Sequence, residues 1–269
     1  MTNRVLVVGG TGTLGRLVVD RLVSAGAEVR ILSRGRRRPS HRDVQHVTGN
    51  VRTGGGLDAA VAGADTIVAC VDPAHHVVAA AKRAGTPHLV YISIVGVDRV
   101  PFAYYRSKLA DERLIAASGL PWTVLRATQF HDLIAVLLRL LAKPPVMALP
   151  AGWRFQPVDV REVADRLADL ALGEPAGRAP DFAGPQVRTG GDLARSYLSM
   201  VGKRRPIVRI WLPGKVFRAY RAGGHLAPQH ASGTITFEQY LAEQLAAGRL
   251  PYGDAIRDYL SFRRKNEPQ

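Results

Sequence analysis

Cysteine is almost missing from this chain. Cys70 is the only one among 269 residues, which excludes an internal disulfide and any zinc site built on thiolates. Long apolar runs are missing as well, since nothing approaches the ~18 consecutive apolar residues of a membrane span. The best candidate, Leu133 to Leu141, is broken by Arg139 and stopped by Lys143-Pro144-Pro145. Met1 to Val8 leads into a glycine turn without a basic region or a small-residue cleavage site, so no secretory signal is expected. The histidines show no His-x-x-x-His spacing and no pairing with carboxylates, so no metal is expected. Acidic side chains are the scarcest class relative to their opposite: 22 Asp and Glu face 37 Lys and Arg, for a formal net charge of +15. Such a field attracts anions. The arginines are spread along the whole chain, which favours a compositional origin over one binding face.

What is present suits a folded, cytoplasmic protein, monomeric by default. The composition is 46% hydrophobic and 22% charged, enough apolar surface to offset the entropy of ordering the chain. Arg4–Val8 reads as a buried strand ending in glycine. Leu14, Leu17, Val18 and Leu22 follow at helical spacing, with Gly26 as the stop. Further strands are predicted over 28–32, 44–47, 66–71, 88–94 and 122–126, and helices over 57–61, 74–84, 104–118 and 130–142. This alternation implies βαβ units: an α/β, Rossmann-type, doubly wound parallel sheet. It stops after residue 145. Residues 1–150 are therefore read as a nucleotide-binding domain. Residues 151–269, with helices predicted at 160–172 and 192–201, are read as a smaller C-terminal lobe over the substrate.

The turn Gly9-Gly10-Thr11-Gly12-Thr13-Leu14-Gly15 lies between the first strand and the first helix. Gly9 permits the tight turn, Gly12 a close approach of a pyrophosphate, and Gly15 close helix–strand packing. The N–H groups of Thr11, Thr13 and Leu14 belong to the helix start, where anions bind. The second strand ends in Ser33-Arg34 with no acid to hold a ribose 2′-hydroxyl. A hydroxyl beside a guanidinium suits a 2′-phosphate, so NADP(H) is the expected cofactor. Arg34 is the leading ligand, assisted by one of Arg36 to Arg38, with Arg38 selected. Asn50 and Val51 after the third strand, and Cys70 and Val71 after the fourth, complete the positions expected beside the cofactor.

Ser93 ends the fifth strand, and Tyr104 and Lys108 are four apart on one helix face. This set suits carbonyl reduction: a phenol donates the proton, a nearby ammonium assists it and holds the ribose, and the serine binds the acceptor oxygen. Tyr105 is turned away by about 100° and is retained as a weak substrate candidate.

The glycine turn, the segment Tyr91 to Gly96, the run Tyr104 to Glu112, the stretch Leu125 to Phe130, and Gln156-Pro157-Val158-Asp159-Val160 before a helix resemble an atypical short-chain dehydrogenase/reductase of the NmrA-like, NAD(P)H-binding group. The resemblance covers nearly all of residues 1–245. It implies a Rossmann domain with a small substrate lobe, NADPH as ligand, Lys108 as the position most often kept, and Thr128 to Phe130 near the nicotinamide. His131, next in sequence, is a candidate to face the substrate. Asn50 stands where an acid is frequent in the group, Cys70-Val71-Asp72-Pro73 replaces a small-residue stretch, and Arg126-Ala127-Thr128 replaces Arg-Pro-Thr.

The expected function is NADPH-dependent hydride transfer to a quinone or ketone of an apolar, aromatic, natural-product-like substrate. The alternatives are an NADP(H) sensor without turnover and a flavin-free oxygenation-type enzyme on an aromatic polyketide. Cations and apolar residues interleave from Lys203 to Arg221. They read as a contact for lipid or nucleic acid, or as a lobe whose apolar side lines the pocket mouth. The break at Pro213-Gly214 and the lack of a nucleic-acid fold signature favour the lobe, and no nucleic-acid partner is expected.

Overall fold

A computed structural model describes residues 3–35, 41 and 43–248. In chain order the elements begin with β1 (Arg4–Val8), α1 (Thr13–Ser24), β2 (Glu28–Ser33), β3 (Gln45–Thr48), α2 (Leu57–Val61), β4 (Thr66–Ala69) and α3 (His75–Arg83). There follow β5 (His88–Ile94), α4 (Ala103–Ala116), β6 (Trp122–Ala127), α5 (His131–Leu141), β7 (Met147–Pro150), β8 (Arg154–Phe155) and α6 (Val160–Leu172). The chain continues through β9 (Gly177–Arg178), β10 (Arg188–Thr189), α7 (Gly190–Met200), β11 (Ile207–Ile210), α8 (Lys215–Arg221) and α9 (Phe237–Ala246).

The first compact unit comprises residues 1–127 and 161–182. Its sheet has seven strands in the order β3-β2-β1-β4-β5-β6-β9, all parallel. Parallel strands buried on both faces require near-continuous apolar runs, and Leu6-Val7-Val8 and Ile67-Val68-Ala69 supply them. α1 buries Leu14, Val18 and Leu22, one stripe at helical spacing. The order reverses between β1 and β4, and that switch point is where such sheets hold ligands.

Two polar contacts link this unit to pH. Arg4 clamps Asp65 at the start of β4 through a 2.7 Å ion pair. The hydrogen bond from Arg4 holds that carboxyl at about 2. Burial pushes His88, at 2.8 Å from the Thr123 hydroxyl, below the ordinary imidazole range. Both groups bind protons more readily when unfolded, so each loses stabilisation as the pH falls. Stability followed by circular dichroism is expected to drop first below about pH 6.5 and again between about pH 4 and 2. A flat curve from neutrality to pH 3 would contradict this.

The second unit comprises residues 128–160 and 183–269. Its core joins Ile134 and Leu138 of α5, Met147 and Leu149 of β7, Leu193 and Tyr197 of α7, and Phe237, Tyr240 and Leu241 of α9. β7 pairs in parallel with β11, and β8 antiparallel with β10. The division thus differs from a single cut at residue 150. α5 and β7 belong to the second unit because their apolar faces pack with α7. Residues 161–182 return to the first, because β9 extends the main sheet beside β6 and Thr66 Oγ donates to the Ala171 carbonyl of α6 at 3.2 Å. No helix among the described residues is long and apolar enough to cross a membrane.

Candidate active site

The glycine turn joins β1 to α1 at the switch point. Gly9 adopts φ +85°, and a Cβ there would meet Val71 at 2.4 Å; a Cβ on Gly15 would lie 2.2 Å from the Gly9 carbonyl oxygen. Both positions require glycine. Gly12 caps α1 in extended geometry with no side-chain hydrogen bond, and the first turn holds no acid. The first N–H groups of α1 therefore lack an internal acceptor. The loop is a backbone cradle with a positive dipole end, and it fits a pyrophosphate. Thr11 and Thr13 are half-buried in it, and Leu14 is buried below.

At the edge of this cradle the remaining cofactor positions divide. Arg34 is exposed just after β2. Arg38 lies outside the described residues. Ser33 is nearly buried; its hydroxyl is 2.8 Å from His46 Nε2 and accepts from the Gly35 N–H, so it braces the turn after β2. Asn50 Oδ1 accepts the Arg52 N–H at 3.0 Å, and the Asn50 backbone bridges to Gly55. Val51 and Val71 pack on the apolar core. The Cys70 N–H donates to the Val8 carbonyl, extending the β1–β4 ladder, and burial pushes its thiol up to about 12. That thiol is a neutral, inert group at physiological pH.

The catalytic candidates stand on β5 and α4. Ser93 is 2% exposed, and its buried hydroxyl has no hydrogen-bond partner among the described residues. A buried hydroxyl without a partner is costly, and a substrate oxygen would satisfy it. Lys108 is buried; its Nζ donates to the Ile92 carbonyl at 2.8 Å, one residue from Ser93, and pairs with Asp72 Oδ1 at 2.9 Å. The same ammonium lies 4.5 Å above the Tyr91 ring. Tyr104 is half-buried and donates to Asp72 Oδ2 over 3.4 Å. Asp72 thus stands between the ammonium and the phenol, where the sequence reading expected direct assistance.

Asp72, Tyr91 and Asp111 are the polar members that the reading missed. The Tyr91 hydroxyl lies 2.6 Å from Asp72 and 3.2 Å from Asp111. It has one proton, which the shorter contact takes. Burial first, then the two carboxylates, raises Tyr91 far above the usual phenol range. Burial also raises Asp111, although the Ala74 N–H at the start of α3 donates to it. A sequence signal did exist: Asp72 departs from the small-residue pattern, and Asp111 sits one turn after Lys108 on α4.

Three further expectations need correction or restatement. Tyr105 is buried with its ring edge on Phe102, a packing residue. His131 is fully buried between Phe237 and Tyr240, and its Nε2 is 3.0 Å from the Ile235 carbonyl; it ties α5 to α9 inside the second unit and does not face solvent. The Thr128 hydroxyl accepts the Gly184 N–H at 3.2 Å, and Phe130 caps α5 and bridges to Val158. Beside them, both polar atoms of the Gln129 amide are buried without a partner among the described residues. Among the described residues no group of three or more His, Cys, Asp or Glu side chains could hold a metal ion.

Residues 9–145 match a family model described as NAD(P)H-binding. The chain is 31% identical over 210 residues to a (4-alkanoyl-5-oxo-2,5-dihydrofuran-3-yl)methyl phosphate reductase of Streptomyces griseus, covering 74% of each protein. It is 28% identical over 222 residues to an NAD(P)H azoreductase of Xenophilus azovorans, covering 77% of each. Among solved structures, an NADPH-dependent quinone oxidoreductase of Escherichia coli complexed with NADPH shares the fold, with a TM-score of 0.76 at 17% identity, covering 90% of this chain and 99% of that one. The chain belongs to the NAD(P)H-binding family that this model describes, and both of these relatives carry the names of reductases.

Proposed function

We propose that the protein uses NADPH to reduce a quinone or ketone carbonyl on an apolar, aromatic substrate. The cofactor, when bound, supplies the hydride. The observation that carries the reading is the buried, unpartnered Ser93 hydroxyl beside the Ile92–Lys108 contact. It is a donor held ready for an acceptor oxygen on which charge develops. Tyr104 supplies the proton. An ammonium has three N–H donors; two of Lys108's go to Asp72 and Ile92, leaving the third for a ribose hydroxyl. The relatives' names, both reductases, support this class of reaction and leave the acceptor open.

The test is NADPH oxidation against a panel of quinones and aromatic ketones, with NADH in parallel. Turnover with NADPH is expected. A second reading, an NADP(H) sensor, draws on Asp72, whose charge offsets the Lys108 ammonium next to Tyr104. It requires NADPH binding with no consumption by any acceptor. The role of Arg34 is checked separately by calorimetry: Arg34→Ala should weaken NADPH binding by about 10- to 100-fold, the worth of a charge-assisted hydrogen bond, and leave NADH binding unchanged. Equal losses for both cofactors would remove Arg34 from 2′-phosphate recognition.

A further inference from the structure

We propose that the second unit docks on an anionic lipid surface through β11 and the turns beside it, a property separate from the reductase reading. The first observation is charge. No Asp or Glu stands between Asp192 and Glu238, while Lys203, Arg204, Arg205, Arg209, Lys215 and Arg218 do. The two flanking carboxylates are already engaged, Asp192 with Arg195 at 2.5 Å and Glu238 with Arg188 at 2.8 Å. The positive charge is therefore uncompensated here, whatever its origin elsewhere in the chain.

The second observation is a shallow, open surface pocket of about 510 Å³ at the junction of α7 and β11, lined by Lys203, Arg204, Arg205, Leu198 and Ile207. Among the described residues Arg205 Nε is buried without a partner, and its Nη1 donates to the neighbouring Arg204 carbonyl. A phosphate oxygen would satisfy this fork.

The third is an apolar face next to these cations. The β11–β7 register pairs Val208 with Ala148 and Ile210 with Pro150. Val208 and Ile210 share one face, and both are exposed, while Met147 and Leu149 point the other way into the core. Trp211 follows at 69% exposure. Arg221, at the end of α8, stacks 3.9 Å over its ring and donates to the Leu212 carbonyl at 2.9 Å. These contacts bring the two halves of the segment back together across the Pro213-Gly214 break.

Cations around an exposed indole and aliphatic side chains match a bilayer interface. Each basic residue gains from anionic headgroups, and Trp prefers the headgroup level. Nucleic acid would use the cations but has no counterpart for the Val208–Ile210 face. A second copy meeting this face across a twofold axis would bring like charges together.

The experiment is co-sedimentation of the full chain with phosphatidylcholine vesicles and with mixed phosphatidylcholine/phosphatidylglycerol vesicles. Binding to the mixed vesicles alone is expected, weakening as salt screens the charges. Lys203→Gln/Arg204→Gln/Arg205→Gln should weaken it roughly a hundredfold. Val208→Ser/Ile210→Ser/Trp211→Ser should weaken it by about tenfold or more, with the wild-type melting midpoint and NADPH affinity showing that both variants are folded. Four results would overturn the proposal: equal binding to neutral vesicles, affinity untouched by either triple variant, displacement from vesicles by millimolar inorganic phosphate, or stronger retention on duplex DNA than on vesicles. A dimer dissolved by Trp211→Ser, without vesicle binding, would overturn it in favour of self-association.

Discussion

Tyr104→Phe is expected to lower turnover with NADPH and a reducible quinone or ketone by about 10²- to 10⁴-fold, the usual contribution of a positioned proton donor. NADPH affinity should stay at its wild-type value, because the variant keeps the ring and the hydroxyl's proposed role is toward the acceptor oxygen. Ser93→Ala belongs beside it. Removing a buried hydroxyl that has no partner takes nothing from the folded protein's own hydrogen bonds, so stability should hold or rise while kcat falls. This split separates a group held for substrate from one held for structure. Stopped-flow turnover together with fluorescence titration of NADPH measures both quantities. Unchanged kcat in Tyr104→Phe would take Tyr104 out of the chemistry, and unchanged kcat in Ser93→Ala would remove the observation on which the reductase reading rests.

The largest stability effect is expected at Arg126. Its guanidinium holds Glu112 of α4 through Nε and Nη2 at 2.8 and 2.7 Å, and Asp98 through Nη1 at 2.9 Å. Both members of the Arg126–Glu112 pair are nearly buried, with side-chain exposures of 8% and 10%. Burial works against the Arg126 charge, but the carboxylate contacts outweigh it and raise the group. Burial also works against Asp98, whose carboxyl the Arg126 hydrogen bond and charge nonetheless keep below the usual range. Arg126→Leu leaves Glu112 charged and alone, at a cost of about 3–5 kcal/mol. The double variant Arg126→Leu/Glu112→Leu should recover much of that, since the charge left unpaired is gone. Denaturant midpoints for the single and double variants give the comparison. A double variant no better than Arg126→Leu would show that the guanidinium acts through packing rather than through the pair.

The first half of the fold was readable because its signals are local. The 4–8, 28–32, 66–71 and 88–94 runs carry their own apolar patterning, and the glycine turn carries its own steric requirement at Gly9 and Gly15. The second unit was harder. β7 and β11 are four residues each and are defined by pairing with one another across about sixty residues of chain. α9 carries a local mark, the Thr236–Gln239 capping box ahead of Phe237. His131 misled because its position beside Phe130 is sequential; only the packing of α9 shows that the ring is enclosed.

The site divides in the same way. Residue order by itself determined the doubly wound sheet, the phosphate cradle and the presence of Ser93, Tyr104 and Lys108, because strand ends, turn glycines and i,i+4 spacing are short-range geometry. Tertiary structure alone decided what those residues touch. Asp72 enters between Lys108 and Tyr104, and Tyr91 and Asp111 close the network below. These contacts join segments that are tens of residues apart. A buried charge or hydroxyl takes whichever partner the packed chain brings within about 3 Å, and no periodicity in the sequence records that partner.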